Sequence, residues 1–301
     1  MSATPDAETF EAHRDLMFAV AYRMLGTVAD AEDAVQDAWL RWSAAPRGEV
    51  TEPRGYLVKV ITNTSLNRLR AVRARREAYV GPWLPEPLLT DMGTDISERA
   101  ELAESVSMAM LVVLESLTPE ERAVFVLREV FGFGYAEIGA AVGRTDVAAR
   151  QLAHRAREHV QARRPRFEVD PGRQREVTER FMAAATGGDI QQLMSVLAPE
   201  VTLTSDGGGQ AKAALRPVTG ASKVARLMVA ISGRPYGGFE IDEMTIEEAE
   251  INGGPGALIT AGGRAIVAVT WLVSGDLVTA IQLITSPDKL AAISARRTLP
   301  M

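Results

Sequence analysis

The stretch Gly81-Pro82-Trp83-Leu84-Pro85-Glu86-Pro87 constrains this 301-residue chain more than any other. Each proline fixes φ and removes a backbone donor, so neither a helix interior nor a central strand can pass through. The stretch therefore reads as an extended linker, 81–102. The flanking segments, 8–80 and 103–166, show helical spacing and few glycines, and read as two helical modules. A second break falls at Arg163-Arg164-Pro165-Arg166 and Asp170-Pro171-Gly172. Beyond it glycine becomes frequent and short β-like runs appear, which marks a third module over 172–301.

The chain has no cysteine, which excludes disulfides, thiolate zinc sites and cysteine nucleophiles. No His/Asp/Glu constellation suggests a metal, and no cofactor is expected. Met1 to Ala12 do not read as a secretory signal. No apolar run approaches the roughly 20 residues needed to span a bilayer. A cytoplasmic protein with no membrane partner is expected.

The net charge of −6 argues against nucleic-acid binding until its distribution is read. Arg54 to Arg76 holds seven basic residues and no acid, and Arg122 to Arg166 holds nine basic residues against four acids. Local clustering of this kind matters more for DNA binding than the total.

In the first module, Thr27 reads as an N-cap with Asp30 reaching back. The helix that follows places Val35, Ala38, Trp39 and Trp42 on one face. Asp30, Asp33 and Asp37 make an acidic stripe on another, with Gln36 beside it. Such a stripe is either a solvated face or a dock for a basic partner. The next helix, opened by Pro53, buries Leu57, Val60, Ile61 and Thr64. Lys59, Asn63, Asn67 and Arg70 form a second stripe, extended by Arg73, Arg75 and Arg76. Lysine and arginine neutralise phosphates, asparagine amides can bond base edges, and Tyr56 could stack a base.

In the second module, Thr118-Pro119-Glu120-Glu121 is a helix start. A helix to about Val130, a short helix from Tyr135 to Val142, the turn Gly143-Arg144 and a longer helix capped by Thr145 make a helix-turn-helix. The last helix turns Ala149, Leu152, Ala153, Ala156 and Val160 inward. Arg150, His154 and Arg157 lie outward, with Arg144, Thr145 and Arg155 nearby, which suits a major-groove reader.

The third module reads as α+β. Helices are expected over Gln174–Thr186, Asp189–Leu197 and Ala221–Ser232. Strands are expected over Val201–Thr204, Gly238–Ala249, Gly256–Ala261, Ala265–Val273 and Leu277–Ile284. Asp206 and Asp242 are the acids an enzyme of this layout would draw on.

Asp30-Ala31-Glu32-Asp33-Ala34-Val35-Gln36-Asp37 resembles the polymerase-binding segment of sigma region 2. Leu117-Thr118-Pro119-Glu120-Glu121-Arg122, with Ala149 to Arg157, resembles sigma region 4. The third module resembles a SnoaL-like cone with a curved antiparallel sheet and an apolar pocket. Trp83-Leu84-Pro85-Glu86-Pro87, Asp206-Gly207-Gly208-Gly209 and Ser286-Pro287-Asp288-Lys289-Leu290 are similar to marker motifs of extracytoplasmic-function sigma factors that carry such a domain. The last motif begins with Ser286 where that subgroup usually has asparagine. Gln210 follows the glycines where it usually has lysine, and here the lysine is Lys212.

The resemblance implies a non-enzymatic protein that binds core RNA polymerase through Asp30, Asp33, Gln36, Asp37 and Trp39. It would melt the minus-ten element with the Lys59-to-Arg76 helix and read the minus-thirty-five element with the Arg150 helix. Trp83, Leu84, Pro85, Asp206, Gly207, Gly208, Gly209, Pro287, Asp288, Lys289 and Leu290 would make regulatory contacts. A small-molecule ligand could occupy the pocket, and no dedicated anti-sigma factor is required. Two alternatives are a stand-alone helix-turn-helix regulator with a ligand domain and a pocket-domain enzyme fused to a DNA-binding part.

Overall fold

The computed structural model describes residues 5–45, 50, 52–90, 107–163 and 170–294. The chain divides into two compact units. One gathers Met1–Ala78 with Met110–Arg164, and the other gathers Tyr79–Ala109 with Pro165–Leu299. Both helical modules thus share one unit, and the described part of the linker belongs with the C-terminal one. The later part of the expected linker, 91–102, and the chain end after 294 lie outside the described residues.

The first unit comprises α1 (Pro5–Leu25), α2 (Val28–Ala44), α3 (Pro53–Glu77), α4 (Met108–Glu115), α5 (Pro119–Phe125), α6 (Tyr135–Val142) and α7 (Asp146–Arg163), with α4 starting just before the boundary. Its helix starts follow local chemistry. The Thr27 hydroxyl accepts the Asp30 backbone N–H at 3.2 Å. Thr118 and Glu121 form a reciprocal capping box behind Pro119. Helices α1, α2 and α3 pack on one another around Tyr22, Leu25, Ala31, Ala38, Leu57, Ile61 and Leu69, all fully buried. The helix expected to reach Val130 changes character at Val126, where a π-helical segment continues to Val130. Gly143, left-handed at φ 69°, ends α6 and turns the chain into α7.

The second unit carries α8 (Pro171–Gly187), α9 (Ile190–Val196), β1 (Leu197–Asp206), β2 (Val218–Thr219), α10 (Ala221–Ser232), β3 (Thr245–Ile251), β4 (Gly254–Ala261), β5 (Arg264–Ser274), β6 (Leu277–Ile284) and α11 (Pro287–Ser294). The sheet order is β2-β1-β6-β5-β4-β3. The sheet is not antiparallel throughout, as the sequence suggested, because β1 runs parallel to β6. Parallel neighbours need a long connection. Helix α10 and strands β3 to β5 supply it, so both strands finish at the same end, with Asp206 opposite Ile284.

Successive residues of a strand face opposite ways. Ala257, Trp271 and Ile281 pack toward Val177 and Phe181 of α8 and Val224 of α10. Leu258, Ala268 and Ile284 pack instead with Leu84 of the linker, Met108, and Leu290 and Ile293 of α11. One sheet face is therefore covered by helices and the other by the linker and α11. The strand expected from Gly238 starts only at Thr245, after a 3-10 turn over Ile241–Glu243. Helix α11 lies where the sequence offered only a motif.

Candidate functional site

The linker is held at the shared end of β1 and β6. Asp206, the last residue of β1, is 1% exposed and accepts four donors. Its Oδ1 accepts the Tyr79 hydroxyl at 2.6 Å and the Gly208 N–H at 3.0 Å. Its Oδ2 accepts the Leu84 N–H at 2.7 Å and the Lys289 ammonium at 2.5 Å. Lys289 also donates to the Leu84 carbonyl oxygen and sits 4.2 Å from the centre of the Trp83 ring. Burial, reinforced by the hydrogen bond to Asp206, pushes the Tyr79 phenol well above its ordinary range and keeps it a donor.

The glycine loop is shaped for this approach. A Cβ on Gly207 would overlap the Ala211 carbonyl oxygen, and one on left-handed Gly208 would overlap the Ser286 hydroxyl. Asp288 accepts a hydrogen bond from the Gln210 side-chain amide at 2.8 Å, which ties the glycine loop to α11. Pro85 is buried, Pro287 opens α11, and Leu290 packs beside Leu84. The three marker stretches thus meet in one cluster inside the C-terminal unit. Gln210 and Ser286, where the chain departs from the subgroup pattern, both take part. With its four acceptor positions filled, Asp206 is not free for acid-base work, and Asp242 lies exposed in the 3-10 turn.

On α2, Asp33 and Gln36 are exposed and Asp37 is half-buried, while Asp30 is drawn to the Thr27 hydroxyl at 2.7 Å. Trp39 packs edge-on against Phe10 with ring centres 4.9 Å apart, so it buttresses α1 as well as bordering the stripe. Sequence reasoning passed over Arg68. This α3 side chain binds Asp37 at 2.7 Å and Asp33 at 3.2 Å.

On α3, Lys59 and Asn67 are exposed, Asn63 donates to the Lys59 carbonyl oxygen, and Arg70 lies 3.6 Å from Glu120. Arg73 and Arg76 do not extend this stripe, contrary to the sequence expectation. Arg73 donates to the Glu115 and Leu117 carbonyl oxygens, and Arg76 to the Glu115 carboxylate and the Leu25 carbonyl oxygen. The end of α4 and the turn after it bring carbonyl oxygens and a carboxylate there, which capture the two guanidiniums. The Arg75 side chain lies outside the described residues. Arg122, fully buried, binds the same Glu115 carboxylate and the Arg23 carbonyl oxygen. Burial alone would raise the Glu115 pKa, but Arg122 and Arg76 outweigh it and hold the carboxyl below its ordinary range.

On α7, Arg150 and His154 are two-thirds exposed, and Arg155 and Gln151 are exposed with them. Val147, 65% exposed on the same face, was not anticipated. Its position one turn before Arg150 and Gln151 was the available signal. Thr145 caps α7 through the Ala148 N–H. Arg144 pairs with Glu120 at 2.9 Å. Arg157 turns aside from the outer face to the Tyr135 hydroxyl and Glu129, because an aromatic ring and an acid lie within its reach.

The model for Sigma-70 region 2 matches residues 9–76 and that for Sigma-70 region 4 matches residues 107–160. The chain is 39% identical to the ECF RNA polymerase sigma factor SigJ of Mycobacterium tuberculosis, over 98% of this chain and 97% of that protein. It is 36% identical to the probable ECF RNA polymerase sigma factor SigI of the same species, over 65% of this chain and 68% of that one. The crystal structure of M. tuberculosis SigJ superposes with a TM-score of 0.74 at 38% identity, covering 95% of this chain and 98% of the other. That match spans the helical modules and the C-terminal α+β unit together. Near full-length identity on these terms, with both sigma regions in order, places the chain in the family of extracytoplasmic-function RNA polymerase sigma factors.

Proposed function

We propose that this sigma factor uses three separate surfaces and is restrained in cis by its own C-terminal unit. Asp33, Gln36 and Asp37 dock core polymerase. Lys59, Asn63, Asn67 and Arg70 engage the minus-ten element, while Arg73 and Arg76 brace α3. Val147, Arg150, Gln151, His154 and Arg155 face the minus-thirty-five element, where arginine forks suit guanine and an apolar side chain suits a thymine methyl. Work on polymerase puts the protein in the cytoplasm, and the reading needs neither a small-molecule ligand nor a dedicated anti-sigma factor.

The observation that carries the regulatory part is the Asp206 carboxylate. It grips Tyr79, just ahead of the linker, and Leu84 within it, and is itself neutralised by Lys289 from α11. A linker so held is not free to be re-laid when the helical modules engage promoter DNA. Run-off transcription with core polymerase tests this. A chain ending at Thr285 lacks Lys289 and leaves Asp206 buried without its cation. A chain lacking 170–301 removes the hold altogether. The two truncations should differ from each other and from the full chain in transcript yield, and identical yields from all three would overturn the regulatory reading.

Replacing Asp33 and Asp37 together with lysine should abolish capture of core polymerase while circular dichroism stays native. Unchanged capture would remove α2 from the docking surface. Arg150→Ala should weaken promoter-specific binding by about 1–3 kcal/mol if the side chain reads a base. An equal loss on random DNA would reduce Arg150 to a phosphate contact.

A further inference from the structure

The linker meets the sheet a second time, away from Asp206. Leu89 and Ile251 form an antiparallel bridge at the end of edge strand β3. The Thr90 N–H donates to the Glu250 carbonyl oxygen at 3.0 Å, and the Asn252 N–H donates to the Leu88 carbonyl oxygen at 2.8 Å. Side chains close the arrangement. The Asn252 amide oxygen accepts the Leu88 N–H at 3.0 Å. The Thr90 hydroxyl donates to the Glu250 carboxylate at 2.8 Å and accepts the Gly253 N–H at 3.1 Å.

Asn252 is fully buried and, at φ 52°, is the one non-glycine residue with positive φ among those described. A tight hairpin turn between β3 and β4 asks for positive φ, which glycine supplies with less strain. The turn by itself gives no reason to bury an amide. The amide oxygen does serve the linker, in the manner of an extended segment added to a sheet edge.

We propose that the Asn252-Gly253 turn, with Glu250, is a second linker-binding site, specific for an extended segment with threonine at its end and separable from the Asp206 site. It grips Leu88 to Thr90 through backbone and hydroxyl hydrogen bonds, whereas the Asp206 site grips Tyr79 to Leu84 around a buried ion pair. The linker is therefore released in two separable steps, and sigma activity is graded accordingly. This rests on the reading that the linker hold is regulatory.

Amide hydrogen exchange on the full-length chain tests it, paired with run-off transcription. Asn252→Gly keeps the turn conformation and deletes the acceptor, and Thr90→Val deletes the hydroxyl without touching the turn. In each, the Leu88 and Thr90 amides should exchange about tenfold faster, the scale of one lost buried hydrogen bond, while the Leu84 amide keeps its rate. Asp206→Asn should show the converse pattern. Transcript yield from Asn252→Gly should fall between those of the wild type and Asp206→Asn. Equal loosening of Leu84 in Asn252→Gly would mean a single site, and unchanged Leu88 and Thr90 rates in both variants would mean that Asn252 only shapes a turn. Either overturns the proposal. The two-site exchange pattern with wild-type yield from Asn252→Gly would overturn graded control. If Asp206→Asn also leaves the yield unchanged, the cis-regulation reading itself fails while the two-site hold stands.

Discussion

Asp206→Ala should destabilise the C-terminal unit by about 3–5 kcal/mol, the scale of removing one partner from a buried ion pair. The Lys289 side chain is 9% exposed, and the substitution takes away the carboxylate with which this buried ammonium pairs, leaving it the Leu84 carbonyl oxygen and the Trp83 ring. The Leu84 N–H and the Tyr79 hydroxyl lose their acceptor at the same time. Urea unfolding followed by Trp83 and Trp271 fluorescence reads the loss. Adding Lys289→Met should restore part of it, because the buried charge that lost its carboxylate counter-ion is then removed as well. A single variant within about 1 kcal/mol of wild type, the ordinary spread for surface substitutions and a little beyond, would show that the linker is held by packing rather than by the carboxylate.

Glu115→Ala should cost the helical unit about 3 kcal/mol on the same logic. One carboxylate serves Arg122, which is completely buried, and Arg76. Without it the Arg122 guanidinium loses its carboxylate partner and keeps the hydrogen bond to the Arg23 carbonyl oxygen. The same network gives a pH dependence. The folded-state pKa of Glu115 is depressed, so its contribution is present above the unfolded value, about 4.3, and is lost as pH falls through the lower folded value. Stability of the wild-type helical unit should therefore decline more steeply below about pH 4 than that of Glu115→Gln. Parallel acid-denaturation curves would discount the network.

The elements that the sequence revealed were those whose start and stop signals are local. Thr27, Thr118, Gly143 and Thr145 act within one turn of themselves, so α2 and α5 begin, and α6 and α7 both begin and end, near where they were expected. Helix α10 and strand β6 keep the expected bounds. The parallel pairing of β1 with β6 was not legible, since alternation of apolar and polar residues is the same in either direction. Nor were the fates of Arg68, Arg73, Arg76 and Arg157. Helical spacing shows which face a guanidinium leaves from, but these long side chains bend toward acids and carbonyls brought close by other helices. The marker stretches implied that the glycine loop meets either the linker or the helical modules, and it is the linker that Asp206 holds. Asn252 carried no comparable signal, because an Asn-Gly pair reads simply as a hairpin turn.

The order of synthesis gives the Asp206–Lys289 hold a timing. Lys289 lies 205 residues after the Leu84 carbonyl that it grips. Helix α7, the last of the helical unit, ends at Arg163, well before either Asp206 or Lys289 is made. At roughly 10 residues per second, the linker waits about 20 s on the ribosome for its clasp. Every newly made molecule thus passes through an interval in which its helical unit can be complete and the Asp206–Lys289 clasp does not yet exist. On the proposed cis-regulation, a chain cut short before Lys289 lacks the clasp and with it the restraint.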